Sequence, residues 1–340
     1  MPWSEAALVG PTALVVATLV ASKVSALGSG WAISHAHRNG LLDHPGERRS
    51  HQVPTPRGGG IGIAVASLLA LLVTAATAAL PAVWLLVAAG LSLVSLVGWW
   101  DDHRPLSPWP RLFVHALAAG CLAWAIHLQG ASPLAVAVAF AMALVLVNAW
   151  NFMDGIDGLA TTQALLCALG FAVVLGGAWR LLALVVAGAC LGFLPFNVPR
   201  AKVFLGDVGS GALGYLVAVL MAAGFASQPP VAWPLLLLPP MAMLVDTGLT
   251  LAWRVYRRER WWQAHVQHAF QRWSRHRGHV RVCLAYAVWT FAAVAIMLAA
   301  LHWPTRVSLG AAPAGLLASA WAWWWLHRTY DKNHTEGFGT

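Results

Sequence analysis

Charged side chains are scarce in this chain: Asp, Glu, Lys and Arg make up 10% of its 340 residues, where a soluble domain carries about a quarter. Hydrophobic residues reach 59% and mean hydropathy is +0.67, which excludes an ordinary soluble fold. Cysteine is almost absent. The four present, Cys121, Cys167, Cys190 and Cys283, sit singly in apolar runs without paired spacing, so neither a disulfide framework nor a thiolate metal site is expected. No Lys-Ser/Thr follows the one glycine run, Gly58-Gly59-Gly60, which rules out a P-loop. Solenoid repeats, low-complexity linkers and any soluble segment of domain size are missing too.

What remains is apolar length. A bilayer span needs about 20 apolar residues, and such windows fall near 6–26, 59–80, 82–99, 111–128, 131–149, 158–177, 180–195, 209–226, 231–252, 283–301 and 306–326. The expected fold is an all-α integral membrane protein of about 11 (10–11) transmembrane helices. It forms one polytopic domain, 1–340, with a motif-bearing core at 43–281. The leader MPWSE carries no basic residue, so the first segment reads as a retained helix rather than a signal peptide.

Basic residues orient the chain. With the N-terminus outside, nineteen of the 21 Lys and Arg lie in or beside cytoplasmic loops and the C-terminal tail, leaving only Arg180 and Arg306 opposite. That asymmetry places the C-terminus in the cytoplasm. It also accounts for the net charge of +9 without nucleic acid, because charge spread over short loops suits anionic headgroups and phosphorylated substrates. Of the 12 acidic residues, nine lie in or beside the same cytoplasmic loops. Carboxylates at a hydrocarbon boundary are costly and point to function, so the active face is expected to be cytoplasmic.

The loop after the first helix reads Asp43-His44-Pro45, then Arg48-Arg49-Ser50-His51, then Pro54-Thr55-Pro56-Arg57 before the glycines. Arg49 and Arg57 are suited to phosphate oxygens and the glycines to a close backbone approach; the plain alternative is a stiff, positively charged turn. Asp101-Asp102-His103 closes the third apolar stretch, with Arg104 and Arg111 near enough to balance the carboxylates. In NAWNFMDGIDG, Asn151, Asp154 and Asp157 recur at intervals of three, on one face if helical. Hard oxygens of this kind suit Mg²⁺ and phosphate chemistry. Helix capping explains one of them but not all three. The next cytoplasmic loop offers Phe196-Asn197 and Lys202 to Ser210, in which an aromatic, a Gly turn and Asp207 enter a helix. His265 and His268 are spaced as a zinc pair, but no Cys or carboxylate accompanies them, so phosphate recognition or a solvated basic loop fits better than zinc.

Taken in order, DHPGERRSHQVPTPRGGG, GWWDDHRPLS, NAWNFMDGIDGLA, FNVPRAKVFLGDVGSGALG, DTGLTLAWR and HVQHAFQR resemble the polyprenyl-phosphate N-acetylhexosamine-1-phosphate transferases. The resemblance covers residues 43 to about 272. The Pro-Thr-Pro-Arg-Gly-Gly form and the His265/His268 spacing look more like the bacterial O-antigen and surface-polysaccharide branch than the peptidoglycan branch. It implies a multi-pass enzyme of the bacterial inner membrane that moves a sugar phosphate from a UDP-N-acetylhexosamine to undecaprenyl phosphate, releasing UMP, with Mg²⁺ (or Mn²⁺ in its place). Lipid is the other partner; a homodimer is left open.

The same resemblance implies the roles of individual residues. Asp207 is the principal metal ligand with Asn151 assisting; Phe204, Asn151, Asp154 and Asp157 line the uridine pocket. Arg49, His51, Arg57, Asn197, Lys202, His265 and His268 meet phosphates, nucleotide or sugar, and Asp101 and Asp102 flank the lipid phosphate as base, nucleophile or positioner. Two other classes fit less well. A prenyltransferase needs a second carboxylate cluster and leaves the Lys202 to Ser210 loop unexplained, and a secondary transporter places its polar residues at mid-membrane.

Overall fold

The computed structural model describes residues 10–44, 53–260, 262–263 and 265–331, without the side chains of 305–308 and 331. Arg49 and His51 lie outside the described residues. Helices dominate: α1 Pro11–Asn39, α2 Ile61–Thr77, α3 Pro81–His103, α4 Pro108–Leu128, α5 Pro133–Met153, α6 Leu159–Val174, α7 Gly177–Asn197, α8 Gly206–Ser227, α9 Trp233–Leu236, α10 Met241–Tyr256, α11 Ala269–Arg277, α12 His279–Ala300 and α13 Thr305–Asp331. The only strands among the described residues are β1 Leu42–Asp43 and β2 Thr55–Pro56, paired antiparallel. This is an all-α membrane protein.

Local sequence explains the boundaries. Pro11, Pro81, Pro108 and Pro133 each open a helix, where a missing N–H costs nothing. Gly40 ends α1 in the left-handed region at φ 68°, a conformation other residues resist. This α1 runs 13 residues past the end of the expected 6–26 window, because Ser29, Ala32 and Ala36 keep packing inward after the hydropathy has faded.

Seven helices among the described residues are long and apolar enough to cross a membrane, eight if a bent pair is one span, and α2 and α6 are apolar but shorter. That is fewer than the ten or eleven expected, although each expected window overlaps a helix. One window is corrected outright. The stretch 231–252 is not a continuous helix: a 3-10 turn at Pro230–Ala232 with α9 meets α10 at 79°. Pro239 and Pro240 sit at the break, and consecutive prolines remove two N–H donors and clash with the preceding turn.

Every side of α8 is buried, from Val208 to Phe225, against α3, α5, α6 and α2. A helix apolar on all sides belongs inside a bundle, and small residues let its neighbours close in. By contrast, Val15, Val16, Leu19, Val20 and Leu27 of α1 and Leu284, Val288 and Phe291 of α12 are exposed, as faces solvated by lipid should be.

The chain alternates direction through these helices, so the C-termini of α1, α3, α5, α7 and α10 share one end of the bundle with the N-termini of α2, α4, α6, α8 and α12. That end collects the motifs.

Candidate active site

At this end the loops are knitted by backbone. Phe204 N–H donates to Pro56 O (2.8 Å), Gly59 N–H to Phe204 O (2.9 Å) and Gly60 N–H to Leu205 O (2.9 Å), so the glycine loop lies along the segment leading into α8. Gly206 makes the turn: its φ is +74°, and a Cβ there would stand 2.6 Å from Asp102 Oδ2. Only glycine satisfies both demands. Asn197 ties in the next loop, accepting from Gly158 N–H at 2.7 Å and donating to Val203 O at 3.0 Å.

The adjacent aspartates of α3 diverge as neighbours on a helix must. Asp102 reaches the N-terminus of α8 and accepts from the N–H groups of Asp207 (3.0 Å) and Val208 (3.1 Å). The residue preceding α8 supplies no side-chain cap, so a carboxylate from α3 caps it instead, where the helix dipole favours negative charge. Asp101 turns the other way, accepting from Leu106 N–H at 2.6 Å and from Arg111 Nη1 at 2.7 Å.

Arg111 organises what the sequence had offered only as a counter-charge. From the first turn of α4 its guanidinium meets Asp101, Asp207 Oδ2 at 3.0 Å and Asn151 Oδ1 at 2.9 Å. Asn151 in turn donates to Asp207 Oδ1 at 2.9 Å and to Ser210 Oγ at 3.2 Å. The ends of α3, α4, α5 and α8 thus converge on Asp207.

A cavity of about 300 Å³ opens beside this network. Arg57, Asp102, Asp154, Asp157, Asn197, Phe204 and Asp207 all line it, so seven of the residues singled out from sequence share one chamber. Asp43 also lines it and forms an ion pair with Arg57 across the β1–β2 ribbon. Asp157 faces His279 Nδ1 at 3.3 Å and accepts from Ala201 N–H at 3.3 Å. Burial, and then the charges of Asp102 and Asp157, push the Asp154 carboxyl up to about 8. Negative charge here is under-compensated.

Other expected residues fall elsewhere. Lys202 is exposed and does not line the cavity. His268 is 2% exposed and caps α11, its ring 4.8 Å from that of His265. Burial, then the neighbouring His268 and Arg254, lowers His265 to about 3, so it is a neutral ring. In their place Val266, Gln271, Ser274 and Arg275 form the chamber wall. Their segment is held by Asp246, 2% exposed, which accepts from the N–H groups of Ala269 (2.9 Å) and Phe270 (3.1 Å) and from Tyr286 Oη (2.8 Å).

Among the described residues no three Asp, Glu, His or Cys side chains are grouped to hold a metal by themselves. Mg²⁺ does not require three, since it keeps waters and binds through one or two carboxylates plus substrate phosphates. The hard oxygens of the chamber and the raised Asp154 fit such an ion.

Residues 84–225 match the model of glycosyl transferase family 4. The decaprenyl-phosphate N-acetylglucosaminephosphotransferase of Mycolicibacterium smegmatis is 35% identical over 266 residues, 67% of this chain and 63% of the relative. Its namesake from Mycobacterium tuberculosis is 34% identical over 268 residues, with the same two shares. The phospho-N-acetylmuramoyl-pentapeptide-transferase of Levilactobacillus brevis is 32% identical over 199 residues, 49% of this chain and 60% of the relative. The chain therefore spans a little under two thirds of the length of these relatives.

Proposed function

The chain belongs to glycosyl transferase family 4, among the polyprenyl-phosphate N-acetylhexosamine-1-phosphate transferases, and from that premise we propose that it transfers an N-acetylhexosamine-1-phosphate from a UDP-sugar to undecaprenyl phosphate, releasing UMP. The observation that carries this reading is the chamber where Asp102, Asp154, Asp157 and Asp207 meet Arg57 and Phe204. A carboxylate-rich pocket with one aromatic wall and arginines at its rim suits a metal-bound nucleoside diphosphate. The enzyme is proposed to work in the inner membrane of a bacterium with this chamber facing the cytoplasm, starting surface-polysaccharide assembly. The mycobacterial relatives, named for N-acetylglucosamine transfer, align over more of the chain than the pentapeptide transferase does, which favours a plain N-acetylhexosamine as the sugar.

Phosphoryl transfer asks for positioning and for neutralised oxygen charge. Phe204 stacks the uracil, Arg57 and Arg275 meet the phosphates, and Asp207 with Asn151 would hold Mg²⁺, which supplies neutralisation of the diphosphate. Arg111 keeps Asp207 and Asn151 aligned through its bonds to both. An oxygen of the lipid phosphate attacks the sugar-linked phosphorus; the bond from that phosphorus to the bridging oxygen breaks, and UMP leaves with the oxygen. A phosphate monoester with second pKa about 6 is about 90% dianionic at pH 7, so no base is needed. Asp102, with both oxygens on backbone N–H groups, serves as positioner rather than nucleophile.

Purified protein given undecaprenyl phosphate and a panel of UDP-N-acetylhexosamines should release UMP, and added UMP should drive the reverse reaction. Release of UDP would refute the phosphosugar mechanism.

A further inference from the structure

Outside the chamber, His35 of α1 and His103 of α3 bring their Nε2 atoms to 3.3 Å. Neither histidine lines the carboxylate cavity. We propose that this pair is a second metal site, for a borderline divalent cation of the zinc class, joining the ends of α1 and α3.

The distance is the first argument. Two imidazole nitrogens each about 2.05 Å from a tetrahedral zinc lie about 3.3 Å apart, so the spacing already matches. With ring centroids 5.6 Å apart the two Nε2 atoms aim at each other, and each ring need only tilt on its own side-chain torsions, with neither helix moving, to face a cation beside that line. The second argument is the set of outer partners. A metal-binding histidine almost always gives its other ring nitrogen to an oxygen, which fixes the tautomer. His103 does so already, with Nδ1 2.8 Å from Trp99 O. His35 Nδ1 faces Asn39 Nδ2 at 3.2 Å, an amide that also donates to His35 O at 2.9 Å; Asn39 is exposed, so when Nδ1 takes the proton its partner becomes water in place of the amide nitrogen. Unoccupied, the pair shares one hydrogen bond between its Nε2 atoms, and a cation displaces that proton.

The walls suit the purpose. Trp31 stacks on His35 with centroids 4.8 Å apart, and Trp99 flanks His103 at 4.3 Å, holding both rings in place, while each histidine keeps enough exposure for an ion and its remaining waters. Imidazole pairs favour Zn²⁺, Cu²⁺ or Ni²⁺ and have little use for Mg²⁺, so the two sites do not compete for one ion. Trp99 also stands 3.6 Å from where a Cβ on Gly58 would lie. A cation here therefore braces the rim against which the glycine loop rests.

The test uses the full chain in detergent, stripped by chelator and titrated with Zn²⁺ under excess Mg²⁺. His35→Gln and His103→Gln should each weaken zinc binding by roughly tenfold or more, since losing a ligand costs at least the 10–100-fold of losing an outer partner; His37→Gln, two positions along from the α1 member of the pair on the exposed side, should bind as the unaltered chain does. Cu²⁺ bound to the otherwise unaltered chain should show coupling to two imidazole nitrogens in its electron paramagnetic spectrum, and should still do so in His265→Gln, which disables the other histidine pair. That coupling should be lost in His103→Gln, so the spectrum decides the matter even if His35→Gln folds poorly. Zinc affinity equal in every variant, no zinc binding, or copper coupling that disappears in His265→Gln overturns the proposal. None of these readouts involves UMP release, so the site and the transferase reading stand or fall separately.

Discussion

Replacing Asp102 by asparagine separates a positioning carboxylate from a chemical one. In the native chain Asp102 accepts from the N–H groups of Asp207 and Val208, and a hydrogen bond to a charged group contributes about 1.5–3 kcal/mol. Two such bonds amount to about 3–6 kcal/mol. Asparagine offers one neutral acceptor, good for about 1 kcal/mol, and turns an N–H₂ toward the second backbone donor. The expected cost is therefore about 2–5 kcal/mol, concentrated at the start of α8 where Asp207 sits. A thermal scan in detergent should show a clearly lowered midpoint together with depressed UMP release. Asp101→Asn, which keeps its contact to Leu106 N–H and loses charge only toward Arg111, should lower the midpoint less. An Asp102→Asn protein with an unchanged midpoint and abolished turnover would show that Asp102 acts on the substrate and that its capping role has been misjudged.

Asp207→Asn keeps shape and removes charge, so a lost interaction of about 3–4 kcal/mol should cut turnover by roughly 10² to 10³ and raise the Mg²⁺ requirement; an unchanged Mg²⁺ dependence would move the metal elsewhere. Asp246→Asn should loosen α11 and expose the segment near Gln267 to limited proteolysis, and a digestion pattern like that of the unaltered chain would count against the anchoring role. The neutral His265 ring carries a pH signature: between its folded value of about 3 and the ordinary 6.5 the unfolded chain binds more protons, so stability should fall as pH drops through that window, and His265→Gln should flatten the slope. Reporter fusions after Gly130 and Gln228 should read extracytoplasmic and those after Arg200 and His276 cytoplasmic; Arg200 and Gln228 on one side would contradict the charge asymmetry.

Hydropathy made the helices legible, because apolar length is a property of contiguous sequence, and the distribution of charged residues picked out the end at which the motifs gather. Windowed averages hid the break at Pro239 and Pro240, although two prolines in an apolar run were there to be read. Nothing in hydropathy signals α11, a nine-residue polar helix whose first N–H groups are held by Asp246, 23 residues earlier, beside its own His268/Gln271 cap. Arg111 pairs with Asp101 as expected, but its wider role went unread for another reason. Its charge fits the general basic excess of the loops at that end of the bundle, and only the meeting of α3, α4, α5 and α8 shows it reaching three partners at once. Asp154, Asp157 and Phe204 could be gathered from motif order, whereas His268 and Lys202 share a motif's sequence without sharing its chamber.

The complete burial of α8 bears on how the protein is made. Apart from the short α9, every helix that packs closely around α8, namely α2, α3, α5 and α6, precedes it in the chain. A ribosome releases the N-terminal part first, and domains tend to form in that order. The niche for α8 is therefore already assembled when α8 emerges, and a segment with no lipid-facing side never has to wait alone in the bilayer. Asp207 enters with it, so the carboxylate network closes before α10 to α13 exist, and the wall bearing Gln271 and Arg275 is laid over a finished floor.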